Sequence, residues 1–321
     1  MHGTFLDLAS VHPGDLDLSR LMDAAEDWQL LDATDSGEVV SAIAESEVVV
    51  TNKVILDAPC FEQSDRLKLV CVAATGFNNI DIDAARQHGV TVCNVRGYAT
   101  ASVVQHVFML LLSLVTSADR YRREVDSGEW SRSAFFCLLG HPVRELEGMV
   151  LGIVGYGELG RAVARIAECF GMEVLIARRD EHDQRHGRIA LHDLLPQVDV
   201  LSLHCPLTED NRNLIGKDEL ALMKHDAILI NTARGGLVDE PALLEALRTG
   251  KLGGAGLDVL EKEPPPLDGD TLKSANRNSG LDKLIITPHT AWASRQSRQR
   301  LIDEIAGNIL AFRRGEARNI V

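Results

Sequence analysis

The sequence is short of positive charge. It sets 33 Lys and Arg against 47 Asp and Glu, a formal net charge of -14. A duplex-binding protein presents a basic face, so this balance opposes a nucleic-acid partner. Also missing is any apolar run of the roughly 18 residues that a membrane-spanning helix needs. The longest run, Val103 to Val115, is broken by Gln105, His106 and Ser113. No basic segment followed by an apolar core opens the chain, so the reading is no signal peptide, no membrane and a cytoplasmic location. The six cysteines, at 60, 71, 93, 137, 169 and 205, include no C-x-x-C pair. A disulfide framework is therefore not expected, nor is a metal site, and the cysteines read as buried free thiols. Solenoid repeats and low-complexity tracts are absent as well.

What is present is a regular alternation of short apolar runs and amphipathic stretches. A length of 321 residues suits two domains. Strands are predicted at Thr4 to Leu8, Glu47 to Thr51, Leu69 to Ala73 and Val90 to Asn94, and helices at Leu21 to Ala25 and Ile82 to His88. The strands are continuously apolar, as parallel strands covered on both faces are. One long helix is predicted from Ser102 to about Arg123, then an irregular stretch over 126–148. A second α/β run follows, with strands at Met149 to Val154, Glu173 to Ala177, Val198 to Leu203, Ala227 to Asn231, Gly254 to Leu257 and Leu284 to Thr287. This implies a second doubly wound parallel sheet. The stretch 262–283, with Pro264-Pro265-Pro266, reads as a surface loop, and Ser294 to Arg314 as a closing helix.

The loop Gly155-Tyr156-Gly157-Glu158-Leu159-Gly160 lies directly between a strand pattern and a helical one. That is the setting of a dinucleotide cradle. Gly155 permits the turn, Gly157 admits the pyrophosphate, Gly160 lets helix and strand close, and the helix N-terminus supplies N–H donors. An NAD site carries Asp or Glu at the tip of the next strand. Here that tip is Arg178, followed by Arg179 and Asp180. Guanidinium groups suit a 2′-phosphate, so NADP(H) is favoured over NAD(H). The competing reading makes the arginines a solvated pair and shifts the acidic role to Asp180.

Three polar spots follow strands in the second half: Asn231 to Asp239 with Arg234, Asp258 to Pro264 with Glu263, and Thr287 to Trp292 with His289. Arg can hold a carboxylate and polarise a carbonyl. His can give a proton to the oxygen, and a neighbouring carboxylate favours its protonated form.

Together these segments resemble the D-isomer-specific 2-hydroxyacid dehydrogenase family. The resemblance spans nearly the whole chain. It is carried by Ala74 to Asp81, Thr100 to His106, the glycine loop, Leu203 to Thr208, Asn231 to Asp239, Asp258 to Pro264 and Thr287 to His289. Within the family, Val104 to Phe108, Gly128 to Trp130 and His289 to Ser294 look like the glycerate dehydrogenase and glyoxylate/hydroxypyruvate reductase branch. Gln105 departs from the Glu of many relatives, and Arg178 from the usual acidic residue.

The resemblance implies an α/β fold of two doubly wound parallel-sheet domains. A Rossmann NAD(P) domain, 99–289, is inserted into a flavodoxin-like substrate domain, 1–98 and 290–321, with the active site in the cleft. It implies that Arg234 binds substrate, that His289 is the acid/base and that Glu263 tunes it. Backbone N–H groups near Thr75 and Gly76 hold the substrate carboxylate, and Trp292 walls the pocket. Thr100, Cys205, Pro206, Thr232 and Ala233 line the cofactor with Glu158, Leu159, Arg234 and His289, and Asp258 faces the nicotinamide carboxamide. The implied reaction is reduction of a small 2-keto acid, glyoxylate or hydroxypyruvate, to glycolate or D-glycerate, by a homodimer built on the helix near 102–121. Two rival readings remain. One is a dinucleotide-sensing module like the co-repressors that share this fold. The other is the same chemistry on D-lactate or 3-phosphoglycerate, although no basic cluster lies around 75–79 to favour a phosphorylated substrate.

Overall fold

The computed structural model describes residues 1–180, 182–266 and 282–321. The chain forms two compact units, one of Met1–Ala99 with Trp292–Val321, the other of Thr100–Ala291.

The first unit holds a five-stranded parallel sheet: β1 (His2–Phe5), β2 (Asp27–Leu30), β3 (Val48–Thr51), β4 (Leu69–Val72) and β5 (Thr91–Cys93), in the order β2-β1-β3-β4-β5. Every residue of β3 and β4 is buried, because successive side chains serve two apolar layers. Val48, Val50, Leu69 and Cys71 join one core, and Val49, Val70 and Val72 the other. Leu301, Ile302, Ile305 and Ile309 of the closing helix, Arg295–Arg313, complete the first core. Ser294 caps that helix, and Arg298 pins it through both nitrogens to Asp15 at 2.7 Å. The chain thus returns to finish the unit it began.

Short helices connect these strands: α1 (Ser19–Met22), α2 (Val39–Ile43), α3 (Ala58–Glu62) and α4 (Ile82–Gln87). The composition-based patterns miss β2, which is a mostly exposed edge strand with no apolar run to betray it.

The second unit opens with α5 (Thr100–Val115), α6 (Ala118–Asp126) and α7 (Glu129–Arg132). The single helix expected to run to Arg123 is therefore two helices, bent by 63°. Ser117 adopts a left-handed φ of 53°, and the Thr116 hydroxyl donates back to the Leu112 carbonyl at 2.6 Å, which ends α5. Among the described residues no single helix is long and apolar enough to cross a membrane.

The sheet of this unit comprises β6 (Val150–Val154), β7 (Glu173–Ala177), β8 (Arg188–Ile189), β9 (Val200–Leu203), β10 (Ile228–Asn231), β11 (Gly254–Leu257) and β12 (Leu284–Ile286). All pair in parallel, in the order β12-β11-β10-β9-β6-β7-β8. The chain runs outward from β6 through β7 to β8, then returns to β9 on the other side of β6. The reversal opens a crevice at the carboxyl ends of β6 and β9, where doubly wound sheets bind ligands. The two-residue edge strand β8 also leaves no sequence signal.

Helices α8 (Glu158–Cys169), α9 (Leu191–Leu194), α10 (Lys217–Leu222) and α11 (Glu240–Arg248) follow. Helix α5 packs against β10 and β11, and Gly256 makes this possible, since a Cβ there would lie 2.9 Å from that of Leu110. Of the expected 262–283 loop, residues 267–281 lie outside the described residues. All six cysteines are free, but only Cys60, Cys71 and Cys93 are buried; Cys169 is exposed, against expectation.

Leu201 on β9 is fully buried in the core of the second unit. Leu201→Ala is expected to destabilise that unit by about 2–5 kcal/mol. Urea unfolding of the variant against the parent measures it.

Candidate active site

The glycine loop occupies the switch point between β6 and β9. Gly155 has φ 94°, and a Cβ on it would come within 2.5 Å of the Cys205 nitrogen. A Cβ on Gly160 would lie 2.2 Å from the Gly155 carbonyl oxygen, so α8 can start only on a glycine there. Gly157 differs: a Cβ added to it meets nothing within 4 Å. Two glycines fold the loop, and the third leaves open space in front of the helix. Gly157 occupies the N-cap of α8 and offers no side chain to its leading N–H groups, which remain for an anion. Thr100 at the start of α5 hydrogen-bonds Glu158 at the start of α8. Cys205 and Pro206 follow β9 at the same end of the sheet. Beyond β10, the Thr232 hydroxyl is buried with no partner among the described residues. An open cradle and an orphaned buried hydroxyl both fit a dinucleotide.

At the tip of β7, Arg178 donates its peptide N–H to Ile189 at 2.7 Å, and its exposed side chain has no carboxylate partner among the described residues. Asp180 and Asp183, the described acids of this turn, are engaged. Asp180 accepts the His182 N–H at 2.9 Å. Asp183 accepts the Arg179 N–H at 3.0 Å and two bonds from the Arg185 side chain at 2.7 Å. Those bonds, Arg185 foremost, hold the Asp183 carboxyl far below its ordinary range. Arg188 on β8 stacks 4.7 Å over the Tyr156 ring of the glycine loop.

Arg234, Glu263 and His289 follow β10, β11 and β12, three adjacent strands of one sheet. Asn231 shapes the first loop, accepting the Ala233 N–H at 3.0 Å and donating to the Arg234 carbonyl at 2.8 Å. The Arg234 side chain donates to the Ala233 carbonyl at 2.7 Å. The next residue had no expected role, yet it joins two loops: a Cβ on Gly235 would lie 1.9 Å from the Leu260 carbonyl carbon. Glu240, likewise unanticipated, accepts the Glu261 N–H at 2.7 Å. Glu263 accepts the Leu260 N–H at 2.8 Å through one oxygen and contacts His289 Nδ1 at 2.6 Å through the other. Burial raises the Glu263 carboxyl, but the bonds from His289 and Leu260 outweigh it and leave the group below its ordinary value. An ionised Glu263 can only accept, so His289 Nδ1 carries a proton, and Nε2 is the ring nitrogen not engaged by Glu263.

His289 itself sits at φ 54°, a left-handed conformation that costs a residue of this type roughly 1–3 kcal/mol. Asp258 underlies this turn. It is 1% exposed, and its carboxylate accepts from Thr287 Oγ1 at 2.6 Å, Thr290 N at 2.9 Å and Ala291 N at 2.8 Å. Burial raises Asp258, but bonds from His106, Thr287 and the two peptide N–H groups bring it below the ordinary value.

In the first unit, Thr75 follows β4 in an exposed turn. Its hydroxyl donates to the Val95 carbonyl at 2.8 Å, and Asn94 donates to its carbonyl at 2.7 Å. Among the described residues no acceptor takes the N–H groups of Thr75 or Gly76. Trp292 packs edge-on to Tyr98, ring centroids 6.4 Å apart, against the core of that unit.

Two tests follow from this geometry. Gly157→Ala should keep the parent melting temperature and lose dinucleotide affinity, whereas Gly160→Ala should lose both; calorimetric titration and thermal melts separate them. His204, beside the loop, bonds Ser202 through Nε2 at 2.8 Å, while its buried Nδ1 has no partner among the described residues. Burial pushes its pKa down to about 4. Above the ordinary value of about 6.5 neither state is protonated. Between that value and 4 the unfolded chain binds a proton that the fold refuses, so stability falls as pH drops through the window. His204→Asn should flatten the fall in melting temperature from pH 6.5 to about 4, and an unchanged slope would refute the assignment.

Comparison with known proteins agrees with the geometry. Residues 108–291 match the D-isomer specific 2-hydroxyacid dehydrogenase, NAD binding domain. The chain is 44% identical to the glycerate dehydrogenase of Methylorubrum extorquens over 284 residues, 88% of either chain. It is 36% identical to the hydroxypyruvate reductase of Blautia hydrogenotrophica over 322 aligned positions, 98% of each. The crystal structure of the TT0316 protein of Thermus thermophilus superposes with a TM-score of 0.85 at 31% identity, covering all of both chains. The chain belongs to the D-isomer-specific 2-hydroxyacid dehydrogenases, enzymes that act on small 2-hydroxy and 2-keto acids with a nicotinamide dinucleotide.

Proposed function

We propose that this enzyme reduces glyoxylate and hydroxypyruvate to glycolate and D-glycerate, with NADP(H) preferred and His289 as the acid/base. The 2.6 Å contact between His289 Nδ1 and Glu263 carries the reading. A bound dinucleotide supplies the hydride. Glu263 fixes the His289 tautomer and ring orientation, so a proton carried at Nε2 can pass to the carbonyl oxygen. Arg234 holds the substrate carboxylate and polarises the neighbouring carbonyl. Among the described residues no acceptor takes the N–H groups of Thr75 and Gly76, which would suit a substrate carboxylate, and Trp292 beside Tyr98 would limit substrate size. The names of the glycerate dehydrogenase and hydroxypyruvate reductase relatives support the substrate class.

The cofactor preference rests on Arg178. It is exposed and has no carboxylate partner among the described residues where an acid would bind a ribose hydroxyl, while Asp180 is committed to its own turn. The glycine loop, Thr100, Cys205, Pro206, Thr232 and Ala233 would hold the rest of the dinucleotide.

A homodimer could use the half of α5 that is not buried together with the segment that follows it. That segment exposes Phe135, Leu139, Val143 and, at 91%, Phe136. Large exposed apolar side chains of this kind suit a second copy.

His289→Asn should lower kcat by about 10²–10⁴-fold with dinucleotide binding retained. Arg234→Ala should also abolish turnover; parent-like rates in either variant exclude its role. In a matrix of NADH and NADPH against glyoxylate, hydroxypyruvate, pyruvate and 2-ketoglutarate, NADPH should win with the first two. Arg178→Asp should shift preference towards NADH by about tenfold or more. NADH-only activity in the parent would refute the assignment. Phe135→Ser with Phe136→Ser should sediment as a monomer.

A further inference from the structure

His106 lies outside every role assigned above. From α5 it places Nε2 2.8 Å from Thr287 Oγ1 and 3.3 Å from Asp258 Oδ1. Thr287 Oγ1 stands 2.6 Å from the same Asp258 oxygen. The proton directions follow from chemistry. An ionised carboxylate only accepts, so Thr287 gives Asp258 its one hydroxyl proton, and its lone pair must then accept from His106 Nε2–H. His106 is thereby the outermost donor of a short chain ending on a buried anion.

That anion organises the turn after β12. Asp258 takes the N–H groups of Thr290 and Ala291 on its two oxygens. The N–H of His289 goes to the backbone carbonyls of Asp258 at 2.9 Å and Thr287 at 3.0 Å. These bonds hold His289 in its left-handed conformation, which a β-carbon-bearing residue rarely adopts unaided. The same carboxylate ties α5, the first helix of the second unit, to that unit's last residues.

We propose that His106 is a positioning residue for the reaction, holding the His289 turn through Thr287 and Asp258. The proposal rests on His289 being the acid/base.

The test is steady-state reduction of glyoxylate and hydroxypyruvate by the full-length enzyme carrying His106→Leu, His106→Gln, His289→Asn, or His106→Leu with His289→Asn. His106→Leu should lower kcat by about tenfold to a hundredfold, with dinucleotide affinity kept. His106→Gln, whose amide can still donate to Thr287, should recover most of it. In the His289→Asn background, His106→Leu should cost nothing more, because the group it positions is gone. Parent-like turnover in His106→Leu overturns the proposal. So does the same fold-loss in both backgrounds, or a Gln variant no better than Leu. Parent-like turnover in His289→Asn overturns the acid/base reading itself, and the proposal with it. If His106→Leu does not fold, Thr287→Val removes the relaying hydroxyl at constant shape and carries the same expectations.

Discussion

The catalytic half of the second unit depends on one buried charge. Asp258 is sealed from solvent, and an isolated carboxylate there would cost several kcal/mol. It is retained because donors reach it from separate parts of the chain: Thr287 and the N–H groups of Thr290 and Ala291 beyond β12, and, through Thr287, His106 from α5. Removing any one leaves a buried anion under-satisfied, which is costlier than the lost bond alone. The conformation of His289 is thus secured by the need to satisfy its neighbour.

The sheet then does the gathering. Three adjacent parallel strands deliver Arg234, Glu263 and His289 at their carboxyl ends, at the strand spacing of about 4.8 Å. Spacing alone does not bring loops into register. Gly235 does so for the first two, by letting the backbone of the Arg234 loop lie against that of Leu260 and Glu261. Glu240 and Arg212 hold Glu261 from the other side, at 2.7 and 2.9 Å. Glu263 then turns back to its own Leu260 N–H, leaving one oxygen for His289.

The central strands, the glycine loop and the three polar spots were legible because each writes a local signal: continuous apolar runs, glycines at fixed offsets, charged residues after strands. Val48 to Thr51 and Leu69 to Val72 are buried on both faces and read as nothing but strand. Trp28 and Arg188 lie on edge strands whose burial is partial, so no period marks them. The break at Ser117 was invisible because it comes from hydroxyls bonding back to the preceding turn, not from Pro or Gly. The supporting residues were hidden for a different reason. His106 meets Thr287 across 181 positions of sequence, and His106 by itself reads as a polar interruption of an apolar helix. Gly235 looks like one of many glycines until the chain brings Leu260 against it.

At the tip of β7 the charge presented depends on what the neighbouring acids are doing. Near that tip four arginines, at 178, 179, 185 and 188, stand against Asp180 and Asp183, and the geometry sorts which of these charges are engaged. Asp180 and Asp183 spend their acceptors on the turn they belong to, and Arg185 is spent on Asp183. Arg188 lies over an aromatic ring, not a carboxylate. The uncommitted charge is that of Arg178, directly after the strand, with Arg179 beside it and only 3.8 Å from Asp180 at its closest. A dianionic phosphate placed there would face the Arg178 and Arg179 guanidinium groups, and among the described residues the acids of that turn are already engaged.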